Sequence, residues 1–199
     1  MKKTKMGRKI SRILYISSML VMIIIAIGIW ESHTERDVEN YAIFDTYRGY
    51  GNLWVFPKEI SETATNVEYY YFDMNTLMDP TCQIYLCCTY DTETYQKEVD
   101  RLSQIKYEIN GLTKFIQYEE NIFAYPAYVS IYEWESCYEY ALVDAEEQKI
   151  VYVFMQGIPK WMLAFDEKYS PYYMSQEGKK FEKMSIYLHD GYFKRDLKW

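Results

Sequence analysis

From Ile13 to Trp30 the chain reads ILYISSMLVMIIIAIGIW, eighteen positions without a charge. A helix of that length spans about 27 Å, close to the roughly 30 Å hydrocarbon core of a bilayer. Its backbone polar groups are satisfied internally, so lipid is a tolerable solvent for it. The pattern predicts one transmembrane helix over 13–30, ending in Trp30 at the membrane–water interface. Beyond it the pattern shortens to strand and helix periods. Residues 31–48 are polar and mixed in charge and are expected as a juxtamembrane stalk or short helix. From Gly49 on the chain is dense and aromatic, with no repeat and no long linker, which places one domain over 49–199.

Within that domain NVEYYYFDM (66–74) carries the aromatic and β-branched content of a strand. Asp79-Pro80-Thr81 turns the chain, since proline biases the residue before it away from helix. Residues 82–90 follow as a second strand. In DTETYQKEVDRLSQI, Asp91 or Thr92 can cap a helix, with Tyr95, Val99, Leu102 and Ile105 on one face. Lys97, Glu98, Asp100 and Arg101 are expected on the opposite face. Asn110-Gly111 signals a turn. Residues 128–134, 137–143 and 149–155 read as three strands, the last two joined by the acidic connection DAEEQK. Ile150, Tyr152 and Phe154 alternate with Val151, Val153 and Met155, so both faces of that strand are apolar and it belongs in the middle of a sheet. After Pro159 a turn near KWML and a last strand near KMSIYL are expected. The fold class is α+β: an antiparallel sheet with one packed helix, preceded by a single N-terminal transmembrane helix.

Charge then orients the chain. Lys2, Lys3, Lys5, Arg8, Lys9 and Arg12 precede or begin the apolar run, and no acidic residue occurs before Glu31. The positive-inside bias puts residues 1–12 in the cytoplasm as a basic tail and the domain outside the cell. Ala26 and Gly28 form a small-x-small pair, so a secreted form cleaved after Gly28 is the alternative. Past Trp30 the remaining 16 basic side chains face 29 acidic ones, a net of −13. Such a surface repels phosphate backbones, which excludes nucleic acid as a partner. The expected partners are membrane lipid, through residues 13–30, and another envelope or membrane protein. Twenty-three tyrosines suit half-buried strands and binding interfaces alike.

Three of the four cysteines fall in CQIYLCC, residues 82–88. In a strand, Cys82 and Cys88 share a face but lie roughly 20 Å apart, while Cys87 points the other way. Neither a metal ion nor a disulfide spans that gap. Buried thiols are the expectation. A bridge from one of them to Cys137 remains possible if their strands lie side by side in an exported domain.

No hydrolase, metalloprotease, phosphate-loop or calcium-loop motif is present. His33 and His189 read as isolated histidines, and Gly49-Tyr50-Gly51 as a loop entering the domain. Glu119-Glu120, Glu133, Glu135, Glu139, Asp144, Glu146 and Glu147 are expected as a solvated acidic rim. Tyr69, Tyr70, Tyr71 and Phe72, and Tyr132 with Trp134, are candidate platforms, of which at least half must fill the core. No catalytic, cofactor-binding or metal residue is assigned.

The pattern FPKEI … DPTCQIYLCCTYDTETYQKEVDRLSQI … YEYALVDAEEQKIVYVF resembles small, N-terminally anchored proteins of low-GC Gram-positive bacteria. The resemblance covers about residues 53–156, implies a location in the cell envelope and carries no activity. The expected function is a single-pass, membrane-anchored protein with a non-enzymatic extracytoplasmic interaction or sensing domain. The alternatives are an exported or tethered hydrolase using carboxylates such as Glu133 and Glu139, and a structural cell-envelope protein.

Overall fold

The structure is a computed structural model, which describes residues 12, 14–22, 32–41, 53–74, 81–109, 112–121, 123–133 and 137–171. Among the described residues, seven strands form one antiparallel sheet. They are β1 (Ser32–Glu35), β2 (Thr65–Met74), β3 (Thr81–Thr89), β6 (Gln117–Glu119), β7 (Ala127–Glu133), β8 (Cys137–Asp144) and β9 (Lys149–Gln156), in the order β1-β2-β3-β9-β8-β7-β6. A separate hairpin pairs β4 (Lys106–Ile109) with β5 (Leu112–Phe115), and the helix α1 (Thr92–Ser103) crosses one face of the large sheet.

The two-sided apolar pattern of residues 150–155 does what its composition requires. β9 lies between β3 and β8, and all of its residues after Lys149 are buried. Ile150, Tyr152 and Phe154 join the core under α1, and Val151, Val153 and Met155 join a second core on the other face. The cysteines obey the same alternation, Cys82 and Cys88 on the helix face and Cys87 opposite. Pairing the central strands buries both faces of each, which is where the hydrophobic drive of the fold is concentrated.

Helix α1 starts at Asp91, whose carboxylate accepts from the backbone N–H of Glu93 (3.0 Å) and Thr94 (2.9 Å). This settles the cap in favour of Asp91 over Thr92, and the bonds hold its carboxyl well below the usual range, that to the Thr94 N–H most of all. Leu102 is fully buried, with Tyr95, Val99 and Ile105 packed partly buried against the same core. One expectation for this helix needs correction. Glu98 and Arg101 turn partly inward: Tyr152 Oη donates to Glu98 Oε1 (2.7 Å) and Arg101 Nη2 donates to the Val55 carbonyl (2.5 Å), although the Arg101 side chain stays about a third exposed. Both sit one helical turn from the apolar stripe, close enough to roll under its edge.

The opposite face is covered by a strap, residues 157–171. It turns at the short 3-10 helices Lys160–Met162 and Glu167–Tyr169, the first being the turn expected near KWML. The strap is pinned through Gln83: its Nε2 donates to the Met162 carbonyl (2.9 Å) and its Oε1 accepts from the Ala164 N–H (3.1 Å). Phe165 stacks on Tyr85 at 5.0 Å between centroids.

The sheet begins earlier in the chain than expected. Ser32–Glu35, read from sequence as part of a stalk, pairs with β2 as an edge strand, Ser32 opposite Met74 and Glu35 opposite Tyr71. Its polar side chains need no core, because the aromatic edge of β2 supplies the contacts: the His33 ring lies 5.8 Å from Tyr71, and the Arg36 guanidinium sits 4.6 Å over Tyr70. Residues 14–22 are helical and exposed, with the Ser17 and Ser18 hydroxyls bonded back to Leu14 and Tyr15 carbonyls. Among the described residues no helix is long and apolar enough to cross a membrane. The remainder of the expected span, Ile13 and residues 23–30, lies outside the described residues, as do the turns at Asp79-Pro80 and Asn110-Gly111 and the expected strand at KMSIYL.

Candidate functional site

Strand direction divides the sheet into two ends. One carries Ser32, Met74, Thr81, Gln156 and Cys137, and the other carries Thr89, Lys149, Asp144 and Ala127. Among the described residues, two clefts open at the second end, away from Ser32.

The larger, about 650 Å³, lies between α1 and the β6–β7–β8 side of the sheet. Tyr95 and Val99 of α1 form one wall; Tyr118 of β6 and Tyr128 of β7 form the other, with Tyr125 and Pro126 between them. Tyr118 is half exposed and packs on Tyr128 at 5.0 Å. Burial raises the phenols of Tyr95, Tyr118 and Tyr128 above their ordinary value, so they are neutral hydrogen-bonding groups on apolar rings. The floor at the β8–β9 turn is acidic: Asp144, Glu146 and Glu147 line the cleft and no lysine or arginine does. Asp144 Oδ1 accepts from the N–H groups of Glu146 and Glu147 at 3.1 Å each. Glu147 pairs with Lys149, and among the described residues Glu146 has no ion pair.

The smaller cleft, about 440 Å³, lies on the strap face. It mixes Glu68, Glu147 and Asp166 with Lys149 and Lys168 around the Tyr85–Phe165 stack. Its cations are already committed, Lys149 to Glu147 and Asp144, and Lys168 to Asp166. Cys87 reaches it as a thiol that burial pushes up, away from nucleophilic reactivity.

The acidic-rim expectation fails at two positions. Glu133 is buried and Glu139 fully so. Glu133 stands opposite Cys137, and Glu139 opposite Ile131, which puts both carboxylates on the helix face at diagonal positions of β7 and β8. Glu139 Oε1 accepts from the Val55 N–H (2.8 Å), and its Oε2 from the Ser130 hydroxyl (2.7 Å). Burial raises Glu139 from 4.5 to about 7 despite those bonds and the nearby Arg101. Neither carboxylate lines either cleft. A carboxylate-pair hydrolase needs its two groups to flank a bound sugar, and Glu139 instead holds the buried segment Leu53–Pro57 onto the sheet.

The other candidates separate as follows. Tyr69, Tyr71 and Tyr132 are core, Tyr70 and Phe72 are half-buried, and Trp134 and His189 lie outside the described residues. All four cysteines are free and buried. Cys82 and Cys137 both stand opposite Gln156, on either side of β9, so a strand separates them by roughly 10 Å. A direct bridge needs about 6 Å between Cα atoms, so that pairing is not formed. Among the described residues no three His, Cys, Asp or Glu side chains converge on a metal position.

The tyrosine cleft escaped the sequence reading because its walls come from four separate segments, and only the topology assembles them. The one signal for it was the excess of tyrosine itself. Compared with protein-family models, curated proteins and solved structures, the chain matches none.

Proposed function

We propose that this protein is a single-pass membrane protein whose domain stands outside the cell and engages another envelope or membrane protein without catalysis. The observation that carries the reading is the tyrosine-walled, acidic-floored cleft at the end of the sheet away from Ser32. Rigid aromatic walls with polar tips supply contact area at little entropic cost, as binding surfaces require. The anchor is supported by the uncharged run 13–30, by its basic flank, and by the hydroxyls of Ser17 and Ser18, which satisfy themselves within the helix as lipid demands. A purely space-filling envelope role needs no cleft, and among the described residues this sheet end presents clefts on both faces.

A photo-crosslinking side chain at position 118 of the membrane-inserted full chain tests the reading. It should give one discrete adduct in intact cells, absent when the probe stands at Lys160 on the strap face. No adduct, or identical adducts from both positions, refutes it. A reporter fused after Trp199 should be active only outside; activity in the cytoplasm refutes the topology.

A further inference from the structure

We propose that the tyrosine cleft takes an extended, arginine-bearing segment of a partner polypeptide. This deepens the function proposed above and rests on it only for the side of the membrane on which the partner is met.

The walls of the cleft are the rings of Tyr95, Tyr118, Tyr125 and Tyr128 with Pro126 and Val99, apolar surfaces that carry phenol hydroxyls at their edges. Grooves of aromatic rings accept extended chain of the polyproline type, whose backbone is ordered before binding and loses little entropy on docking. The sign of the ligand follows from the floor. Three carboxylates line it and no basic residue does, although Lys149, which lines the other cleft, pairs with Asp144 and Glu147. Asp144 caps its turn with one oxygen and pairs with Lys149 through the other, and Glu147 also holds Lys149, which leaves Glu146 for an incoming charge. A second copy of the chain is a poor occupant, because the part beyond Trp30 carries a net charge of −13 and would repel itself.

Arginine fits better than lysine. A guanidinium can lie flat on a tyrosine ring while presenting a fork of N–H donors to a carboxylate, two demands an ammonium does not meet together. The molecule already uses the first contact internally, with the Arg36 guanidinium 4.6 Å above the Tyr70 ring. In the cleft the same stacking on Tyr118 would leave the fork within the field of Glu146.

The test uses the full chain in lipid nanodiscs and synthetic peptides of alternating proline with arginine, lysine or glutamate, titrated by calorimetry and by shifts of tyrosine resonances. The proline–arginine peptide should bind, the lysine peptide about five- to ten-fold more weakly, and the glutamate peptide not at all. Glu146→Gln should weaken the arginine peptide about three- to five-fold and flatten its salt dependence, as loss of one exposed ion pair does. Tyr118→Ala should weaken it about ten-fold or more, as loss of an aromatic anchor does. Both positions are exposed, and an unchanged unfolding midpoint confirms that each variant is folded. Failure of the arginine peptide to bind, binding insensitive to both substitutions, or preferential binding of a neutral oligosaccharide each overturns the proposal. Peptide binding with a cytoplasmic reporter at Trp199 would sustain the cleft's chemistry and remove the topology. An external reporter with no peptide binding would do the reverse.

Discussion

Glu139 makes the stability of this domain depend on pH in a direction opposite to that of most carboxylates. It is fully buried, and its strongest neighbours only partly compensate. The Val55 N–H and the Ser130 hydroxyl each give it one hydrogen bond. The nearest cation, Arg101, is engaged with Glu98 through both Nε (2.9 Å) and Nη2 (2.6 Å) and with the Val55 carbonyl. Desolvation therefore wins, and the carboxyl is raised from 4.5 to about 7. Because the folded state holds this proton to higher pH than the unfolded chain, folding takes up a proton between about pH 4.5 and 7. The associated stability is fully present below that window and is lost as pH rises through it. At about 1.4 kcal/mol per tenfold change in proton affinity, the loss is about 3 kcal/mol.

Glu139→Gln keeps the shape and removes the charge: its amide oxygen can still accept from the Val55 N–H, and its amide NH2 can donate to Ser130 Oγ, whose own hydroxyl proton has the Glu139 carbonyl at 3.1 Å as acceptor. Its stability should lack this pH dependence, so the comparison with wild type at each pH cancels every other titrating group. Thermal unfolding of the full chain in detergent should show the two proteins similar near pH 4.5. At pH 8 the variant should melt about 6–12 °C higher, the range that 3 kcal/mol implies for a domain of this size. A variant that is less stable than wild type at pH 8, or a difference that does not change between pH 5 and 8, would refute the reasoning. Either would mean that the charged form is held by bonds stronger than those seen.

Three further outcomes follow from the packing. Leu102→Ala empties a fully buried site beneath α1 and should cost about 2–5 kcal/mol in urea unfolding. Asp91→Ala removes the side chain that caps α1 and should lower the melting temperature by about 2–4 °C, with helical circular dichroism lost first. The four thiols are buried, and burial pushes Cys88 up to about 12. Ellman's reagent at pH 8 should therefore find no reactive cysteine until denaturant is added; rapid labelling of the native protein would contradict the burial.

How far the fold could be read in advance depended on whether a segment's own side chains decided its place. In β9 both alternating sets are apolar, so only a central position buries them, and the register bears this out. The stripe of Tyr95, Val99, Leu102 and Ile105 likewise fixed the face of α1. β1 was hidden because Ser32-His33-Thr34-Glu35 has no apolar phase; the strand exists because β2 offers it an unpaired edge. β6 is only three residues long and owes its place to β7. Glu139 was misread by treating a carboxylate as a surface residue. Yet the same phase of β8 contains Cys137, Ala141 and Val143, and a residue in the middle of that phase must go inside with them. The tyrosine cleft was illegible for a different reason, since its rings are apolar enough for the core and polar enough for a surface. Their use is decided only by which neighbours the topology leaves open.

The place of β1 also constrains how the proposed anchor presents the domain. Ser32 enters the sheet two positions after Trp30, so a bilayer-spanning helix over 13–30 would hand the chain almost directly to the edge strand, with no length of stalk to lift the domain. The end of the sheet bearing Ser32, Met74 and Gln156 would then lie against the lipid headgroups. The nine residues of β3 would carry the opposite end roughly 25 Å outward. Both clefts open at that outer end, beyond a Debye length of the membrane surface. A cationic segment reaching the tyrosine cleft would then feel the field of Asp144, Glu146 and Glu147 rather than that of the lipid. On the proposed topology, the outward cleft would offer its acidic, aromatic end to a partner that approaches from outside.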